Sequence, residues 1–319
     1  MKILITGGSG FIGTHLIQLL LSSFKGISIT NLDLLPSKID DKRIETLQID
    51  IRSNNLFSFF EEKSFDICIH LAALCKEPGF EWEEYFATNH TGTKNIITLC
   101  ENLCISKIIF TSTMMVHQAG EVRRTEESVT APDTAYGISK LLAEKELEKW
   151  RSSKPERSLK IIRPAVVFGE NENANFTRLF LTLKKGFFPY VGKSSTIKSN
   201  IYVHELNRFI HFLIEHKTKL DIYNFSFPSA TSMRNIVSDF KVVFKMRVLT
   251  VTLPYKLMLF VAYMFEFLNS IGLRNSIHHR RIQKLYYSTY IHPANALAEG
   301  YEFKYTLKSA LEDWNKYIS

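Results

Sequence analysis

Cysteine is scarce in this sequence and is not spaced to hold a metal. Cys68, Cys75, Cys100 and Cys104 include no C-x-x-C pair, so no metal site and no dithiol redox centre is expected. A few isolated thiols suit a reducing compartment, and a cytoplasmic protein is expected. Long hydrophobic runs are missing too. The first residues, "MKILITGG", pass from an apolar stretch straight into glycines and contain nothing of signal-peptide length. The longest apolar run, Leu257 to Phe265, falls far short of the ~20 residues that cross a bilayer. Its surroundings, "PYKLMLFVAYMFEFLNSIGL" (254–273), are read as a buried or lid helix. The basic residues that follow, Arg274, Arg280, Arg281 and Lys284, keep peripheral membrane contact as the less favoured alternative. The 40 lysines and arginines exceed the 32 acids, for a net charge of +8, but they form no stripe. Zinc-finger spacings and aromatic RNA-binding signatures are absent, so no nucleic acid is expected and an anionic small molecule accounts for the excess.

What is present reads as a globular α/β chain. The composition, 45% hydrophobic and 23% charged, excludes disorder, and 319 residues allow a large domain with a smaller appendage. Apolar runs and helical periods alternate through the first half. Strands are expected at 2–6, 27–33, 44–50, 66–73, 107–113 and 160–169. Helices are expected at 11–23, about 53–62, 83–103 and 134–150. That alternation predicts a Rossmann-type, doubly wound parallel sheet. Residues 1–168 form its nucleotide domain and 169–319 mainly a smaller C-terminal substrate domain, with one strand returning to the sheet near 221–227.

Two short stretches carry candidate chemistry. "TGGSGFIG" (6–13) places Gly7, Gly10 and Gly13 between the first strand and the first helix. A tight turn there lets backbone N–H groups approach a pyrophosphate at the helix N-terminus. Asp33 ends the second strand 20 residues after Gly13, where a carboxylate accepts from ribose hydroxyls and repels a 2′-phosphate. NAD is therefore expected over NADP. In "TAYGISK" (134–140), Tyr136 and Lys140 stand four apart on one helical face.

Together these stretches resemble the extended short-chain dehydrogenase/reductase superfamily, in its branch of NAD-dependent nucleotide-sugar epimerases and dehydratases. The likeness runs along nearly the whole chain. It assigns the glycine turn, with Phe11 and Ile12, to the cofactor. The same holds for Asp50 and Ile51 in "DIR", Leu71, Ala72 and Ala73 in "HLAA", Asn89 in "NHTGT" and Pro164 in "RPAVVFG". By the same resemblance Tyr136 is the acid/base, and Lys140 binds the nicotinamide ribose and lowers the tyrosine's pKa. Thr113, with Ser112 one position earlier, orients the substrate oxygen. Asn175, Phe176, Val191, Lys198 and Arg281 fall at the family's substrate positions. The sequence departs from the family at His117 and Gln118, where Tyr-Gly is usual, and His117 is read as pocket-lining. "HPANALAEGYEF" departs too, with His292 and Tyr301 replacing an acid and a tryptophan. A homodimer is implied, paired through the helices at 83–103 and 134–150.

Family dehydratases carry an Asp-Glu pair after the catalytic threonine, and this chain has Met114 and Met115. Thioethers neither give nor take a proton. The expected activity is therefore an NAD-dependent nucleotide-sugar 4-epimerase working through a 4-keto intermediate. The alternatives are a 4-keto-sugar reductase and a hydroxysteroid-dehydrogenase-like oxidoreductase. A non-catalytic dinucleotide sensor would need only the glycine turn, and the set Thr113, Tyr136 and Lys140 argues against it.

Overall fold

A computed structural model describes residues 1–53, 55–60, 63–77, 79–270 and 279–318, the side chains of 267–270 excepted. Seven parallel strands form the central sheet in the order β11-β7-β5-β4-β1-β2-β3. They are β1 (Lys2–Thr6), β2 (Ser28–Asp33), β3 (Ile44–Gln48), β4 (Ile67–His70), β5 (Lys107–Thr111), β7 (Ser158–Pro164) and β11 (Ile222–Phe225). The direction of winding reverses between β1 and β4, the switch point where doubly wound sheets open a crevice. Side chains alternate along each strand: Ile3 and Ile5 enter the core with α1 (Phe11–Ser23) and α6 (Val203–Glu215), and Leu4 faces the opposite core with Phe110 and Leu147.

Among the described residues, three parallel pairs lie outside this sheet. They join β6 (Gly120–Arg124) to β13 (Thr289–Ile291), β8 (Val166–Phe168) to β10 (Asn200–Tyr202), and β9 (Phe187–Val191) to β12 (Leu249–Leu253). The strand expected at 160–169 is split in two, β7 within the central sheet and β8 beside β10. Pro164 has no N–H to continue the ladder, and the chain passes from β11 to β10 there, with Ala165 N donating to Phe225 O and Val166 N to Ser199 O.

Two expected helices differ. The region 53–62 shows a single 3-10 turn, Phe57–Phe59, among its described residues. The helix expected at 83–103 is three pieces: α2 (Trp82–Tyr85), a π-helical stretch Phe86–Thr91, and α3 (Gly92–Asn102). The wide turn surrounds the buried Asn89, and such turns often mark functional sites. The other helices are α4 (Ala135–Ser152), α5 (Asn175–Lys184), α7 (Met233–Val243), α8 (Tyr255–Ser270), α9 (His279–Tyr286), α10 (Ala294–Ala298) and α11 (Leu307–Asn315).

Candidate active site

The turn between β1 and α1 lies against the end of β4. Gly7 adopts φ +76°, and a Cβ there would sit 2.6 Å from Ala72 N, so no larger residue allows this approach. Gly10 caps α1 without a side chain, leaving the amides of the first turn, including Phe11 and Ile12, uncapped by the protein. Asp33 leans over the same turn: its carboxylate accepts from Ser9 N and Leu35 N, each at 3.0 Å. An open helix N-terminus with a carboxylate beside it is the donor and acceptor set that a dinucleotide requires.

Leu71, Ala72 and Ala73 follow β4, half-buried, with Leu71 N donating to Thr6 O and Ala72 N to Thr6 Oγ1. Thr6 also meets His70 Nδ1 at 2.6 Å, and His70 Nε2 meets Thr93 at 2.9 Å. Burial, aided by the Lys140 charge, pushes the His70 imidazole down to about 3, so it serves as a neutral strut. Asp50 is held by Arg52 at 2.5 Å, a contact that lowers its pKa despite partial burial. Ile51 is buried against Gly92.

Thr113 and Tyr136 meet just beyond the end of β5. Thr113 caps the turn Met114–Val116, its hydroxyl accepting from Met115 N at 3.2 Å. The glycine of "TAYGISK" explains how α4 reaches this turn. A Cβ on Gly137 would lie 2.3 Å from Met115 O, so only glycine lets the helix abut it. Thr134 caps α4 by accepting from Gly137 N. Asn89 Nδ2 donates to Leu74 O and to Ser139 Oγ, each at 3.0 Å, while Leu74 N donates to Asn89 Oδ1 at 2.8 Å. One asparagine thus ties the loop after β4 to the helix carrying Tyr136.

Tyr136 is buried, with Tyr85 at 6.2 Å between ring centroids. Burial raises its phenol well above the usual value, nearby Cys75 adds to the rise, and a hydrogen bond with Thr113 opposes it. Lys140 is also buried, its Nζ 4.1 Å from the Phe110 ring centroid. Burial pushes its ammonium down to about 7, opposed by Glu144 and Cys75. Both groups are thereby disfavoured in their charged forms.

Several features of the structure go beyond the residues expected from the sequence. Glu144, one turn beyond Lys140, accepts from Arg163 Nε at 3.0 Å and Nη2 at 2.6 Å, and also from the Ser112 hydroxyl. Glu144 and Arg163 are fully buried. Its i+4 spacing from Lys140 was the available signal. Cys75, exposed in the loop after β4, lies close enough to Lys140 and Tyr136 to influence both. His15, Glu170 and His204 meet with donor atoms within 4.8 Å of one another, the one such grouping of metal-ligating side chains among the described residues. His15 Nδ1 bonds Phe11 O and Nε2 pairs with Glu170 at 3.1 Å, an arrangement that fastens α1 to the loop after β8.

The expected substrate positions are less uniform. Asn175 and Phe176 open α5, but the buried Glu172 occupies the helix start, accepting from Phe176 N at 3.3 Å and Thr177 N at 2.8 Å. The Phe176 ring stacks on Phe168 at 4.2 Å in the core. Lys198 Nζ donates to the carbonyls of Lys284 and Tyr287, each at 2.6 Å, and burial pushes it down to about 8. It thus anchors the end of α9. Val191 is buried against α8 and α9 through Ala262 and Ile282. Arg281 is exposed on α9. His117 is buried, with Nδ1 3.4 Å from Val129 O and Nε2 unpaired; burial and Arg163 lower its pKa. Pro164 is buried at the end of β7.

The NAD dependent epimerase/dehydratase family matches residues 3–225. This chain belongs to that family. It is therefore an NAD-dependent enzyme of the extended short-chain dehydrogenase type, and the glycine turn with Asp33 fits that cofactor. Among similar proteins, the N-acetyl-α-D-glucosaminyl-diphospho-ditrans,octacis-undecaprenol 4-epimerase of Escherichia coli O157:H7 is 29% identical, over 98% of this chain and 93% of that protein. The UDP-glucose 4-epimerase of Pasteurella multocida is 27% identical, over 81% and 85%. The fold is shared with the UDP-glucose 4-epimerase of Thermotoga maritima, solved with UDP-glucose, at a TM-score of 0.78 and 20% identity across 100% of this chain and 98% of that one.

Proposed function

We propose that this family member is an NAD-dependent 4-epimerase of a sugar carried on a diphosphate, acting through a 4-keto intermediate. The observation that carries the reading is the convergence of Thr113 and Tyr136 on a turn whose next residues are Met114 and Met115. That turn offers a proton acceptor for a hydroxyl and no acid or base for eliminating water. Bound NAD supplies a reversible acceptor for the C4 hydride. The Tyr136 phenolate oxygen takes the C4 hydroxyl proton, the Thr113 hydroxyl orients that oxygen, and Lys140 balances the phenolate charge. After the keto sugar turns over, Tyr136 returns the proton to the oxygen on the opposite face. Residues 1–168 serve the cofactor in this reading and 169–319 mainly the substrate. The carrier is a nucleotide, as in the UDP-glucose relatives, or a polyprenol, as in the E. coli relative. Incubation with UDP-glucose, UDP-N-acetylglucosamine and undecaprenyl-diphosphate N-acetylglucosamine, with products read by NMR, tests this. Inverted C4 is the expected product, and a 4-keto-6-deoxy sugar would overturn the reading.

Two further outcomes follow from the same residues. Asp33 faces the ribose position, and Leu34, Leu35 and Pro36 bring no positive charge. NAD should bind at least about tenfold more tightly than NADP, and equal dissociation constants would refute the assignment of Asp33. The pH profile should reflect the pair Tyr136 and Lys140. At low pH both carry a proton and neither accepts one. Burial disfavours the charged form of both groups, raising the Tyr136 phenol and lowering the Lys140 ammonium, so the phenolate forms where a positive charge stands beside it. Activity (kcat/KM) should rise with pH and level off once the phenol has lost its proton. Lys140→Met should move the rise to higher pH, and an unmoved rise would exclude Lys140 from the pair.

The homodimer belongs to the same proposal. Pairing would use α3 and α4, where Lys94, Ile97, Glu101, Glu146 and Trp150 line a surface cavity of about 280 Å³. Light scattering of the purified chain distinguishes dimer from monomer.

A further inference from the structure

Over its described side chains, 255–266, α8 is only half buried. Ala262, fully buried, packs with Met258 and Tyr255 against Val191, Ile282 and Tyr286. The other face presents Leu257 (53% exposed), Phe260 (61%), Tyr263 (49%) and Met264 (53%). Their spacing puts them on one stripe about a third of the helix circumference wide. Four large apolar side chains in one exposed row exceed the scattered single ones that ordinary surfaces carry. No helix among the described residues is long and apolar enough to cross a membrane, so the stripe belongs to a surface.

Charge selects what that surface meets. Lys256 lies beside the stripe, and α9, packed on α8, exposes Arg280, Arg281 and Lys284. The one acid on these two helices, Glu266, accepts from His279 N at 2.6 Å and pairs with its Nδ1 at 2.7 Å. A second copy of the chain would bring the same basic cluster against itself, which opposes a symmetric contact. An anionic bilayer complements both features at once, the row of Leu, Phe, Tyr and Met entering the acyl boundary and the basic helix meeting headgroups. The position also suits the site. Lys284 Nζ donates to Glu77 O at 3.3 Å, in the loop after β4 that carries Cys75, and Lys198 holds the carbonyl of Lys284.

We propose that α8 and α9 dock the enzyme on an anionic phospholipid surface, where a sugar diphosphate borne on a lipid can reach the cleft with its lipid still in the bilayer. The identity of that substrate rests on the 4-epimerase reading, whereas docking is measured without turnover, so the two fail separately. The full chain is sedimented with vesicles of phosphatidylcholine alone or with about 30% phosphatidylglycerol. Binding should be at least about tenfold stronger to the anionic vesicles and should weaken in about 0.5 M salt. The double variant Phe260→Glu, Met264→Glu should lose about tenfold or more of that binding, with unchanged NAD affinity and melting temperature. Four results would each overturn the proposal: no vesicle binding, equal binding to neutral vesicles, equal binding by the variant, or a wild-type dimer that the variant splits.

Discussion

Replacing Tyr136 by phenylalanine should lower kcat by roughly 10²–10⁴-fold while leaving NAD affinity within about twofold. The change removes one hydroxyl from a side chain that is otherwise packed among Tyr85, Ala135, Leu74 and Met115. A phenyl ring fills the same volume, so neither the fold nor the glycine turn near Ala72 should move. What disappears is the hydroxyl beside Thr113 that the proposed mechanism uses as proton acceptor. Turnover by the purified variant, with NAD binding followed by fluorescence, separates the two roles. Full activity would remove Tyr136 from the chemistry. Loss of activity together with loss of NAD binding would make it a cofactor contact instead.

The second large effect is on stability. Glu144→Ala leaves the Arg163 guanidinium buried without its carboxylate, since Nη1 already lacks a partner and Nε and Nη2 both bond Glu144. Breaking a buried pair in this way costs about 3–5 kcal/mol. The melting temperature should fall by on the order of 10 °C. The double variant Glu144→Leu, Arg163→Met removes both charges and should recover most of the loss, because desolvation offsets much of what a buried pair contributes. The double variant should still turn over poorly. Glu144 is the foremost group holding the Lys140 ammonium up against burial, and it also accepts from Ser112, next to Thr113. A Glu144→Ala protein as stable as wild type would show that Arg163 finds another partner.

Parts of this site were readable in sequence because they are local. Gly7, Gly10 and Gly13 answer a steric demand of one turn, and Tyr136 and Lys140 share a face by helical period alone. The alternation of strands predicted the sheet for the same reason, and β11 was expected within two residues of its observed ends. Features made by distant partners were not readable. At the helix start of Asn175 and Phe176, the Glu172 carboxylate accepts from Phe176 N and Thr177 N, a contact that no local pattern announces. Lys198 turned to the carbonyls at the end of α9, 86 positions along the chain. The break at Asn89 arises from bonds to Leu74 and Ser139, which no periodicity announces. The sequence over 254–273 predicts a buried or lid helix. Its apolar residues surround the whole helix, so the sequence does not show which face is covered; among the described side chains, the face around Ala262 is buried, and residues 271–273 lie outside the described ones.

The central claim is hydride transfer at C4 with return to the opposite face, and deuterium at that carbon tests it most directly. The purified chain is incubated with UDP-glucose, UDP-N-acetylglucosamine and undecaprenyl-diphosphate N-acetylglucosamine, each labelled at C4, with no added reductant. The account predicts an inverted C4 in at least one of them, with the deuterium kept on that carbon and none lost to water. Inversion with exchange into solvent, or a product lacking one water, would contradict it.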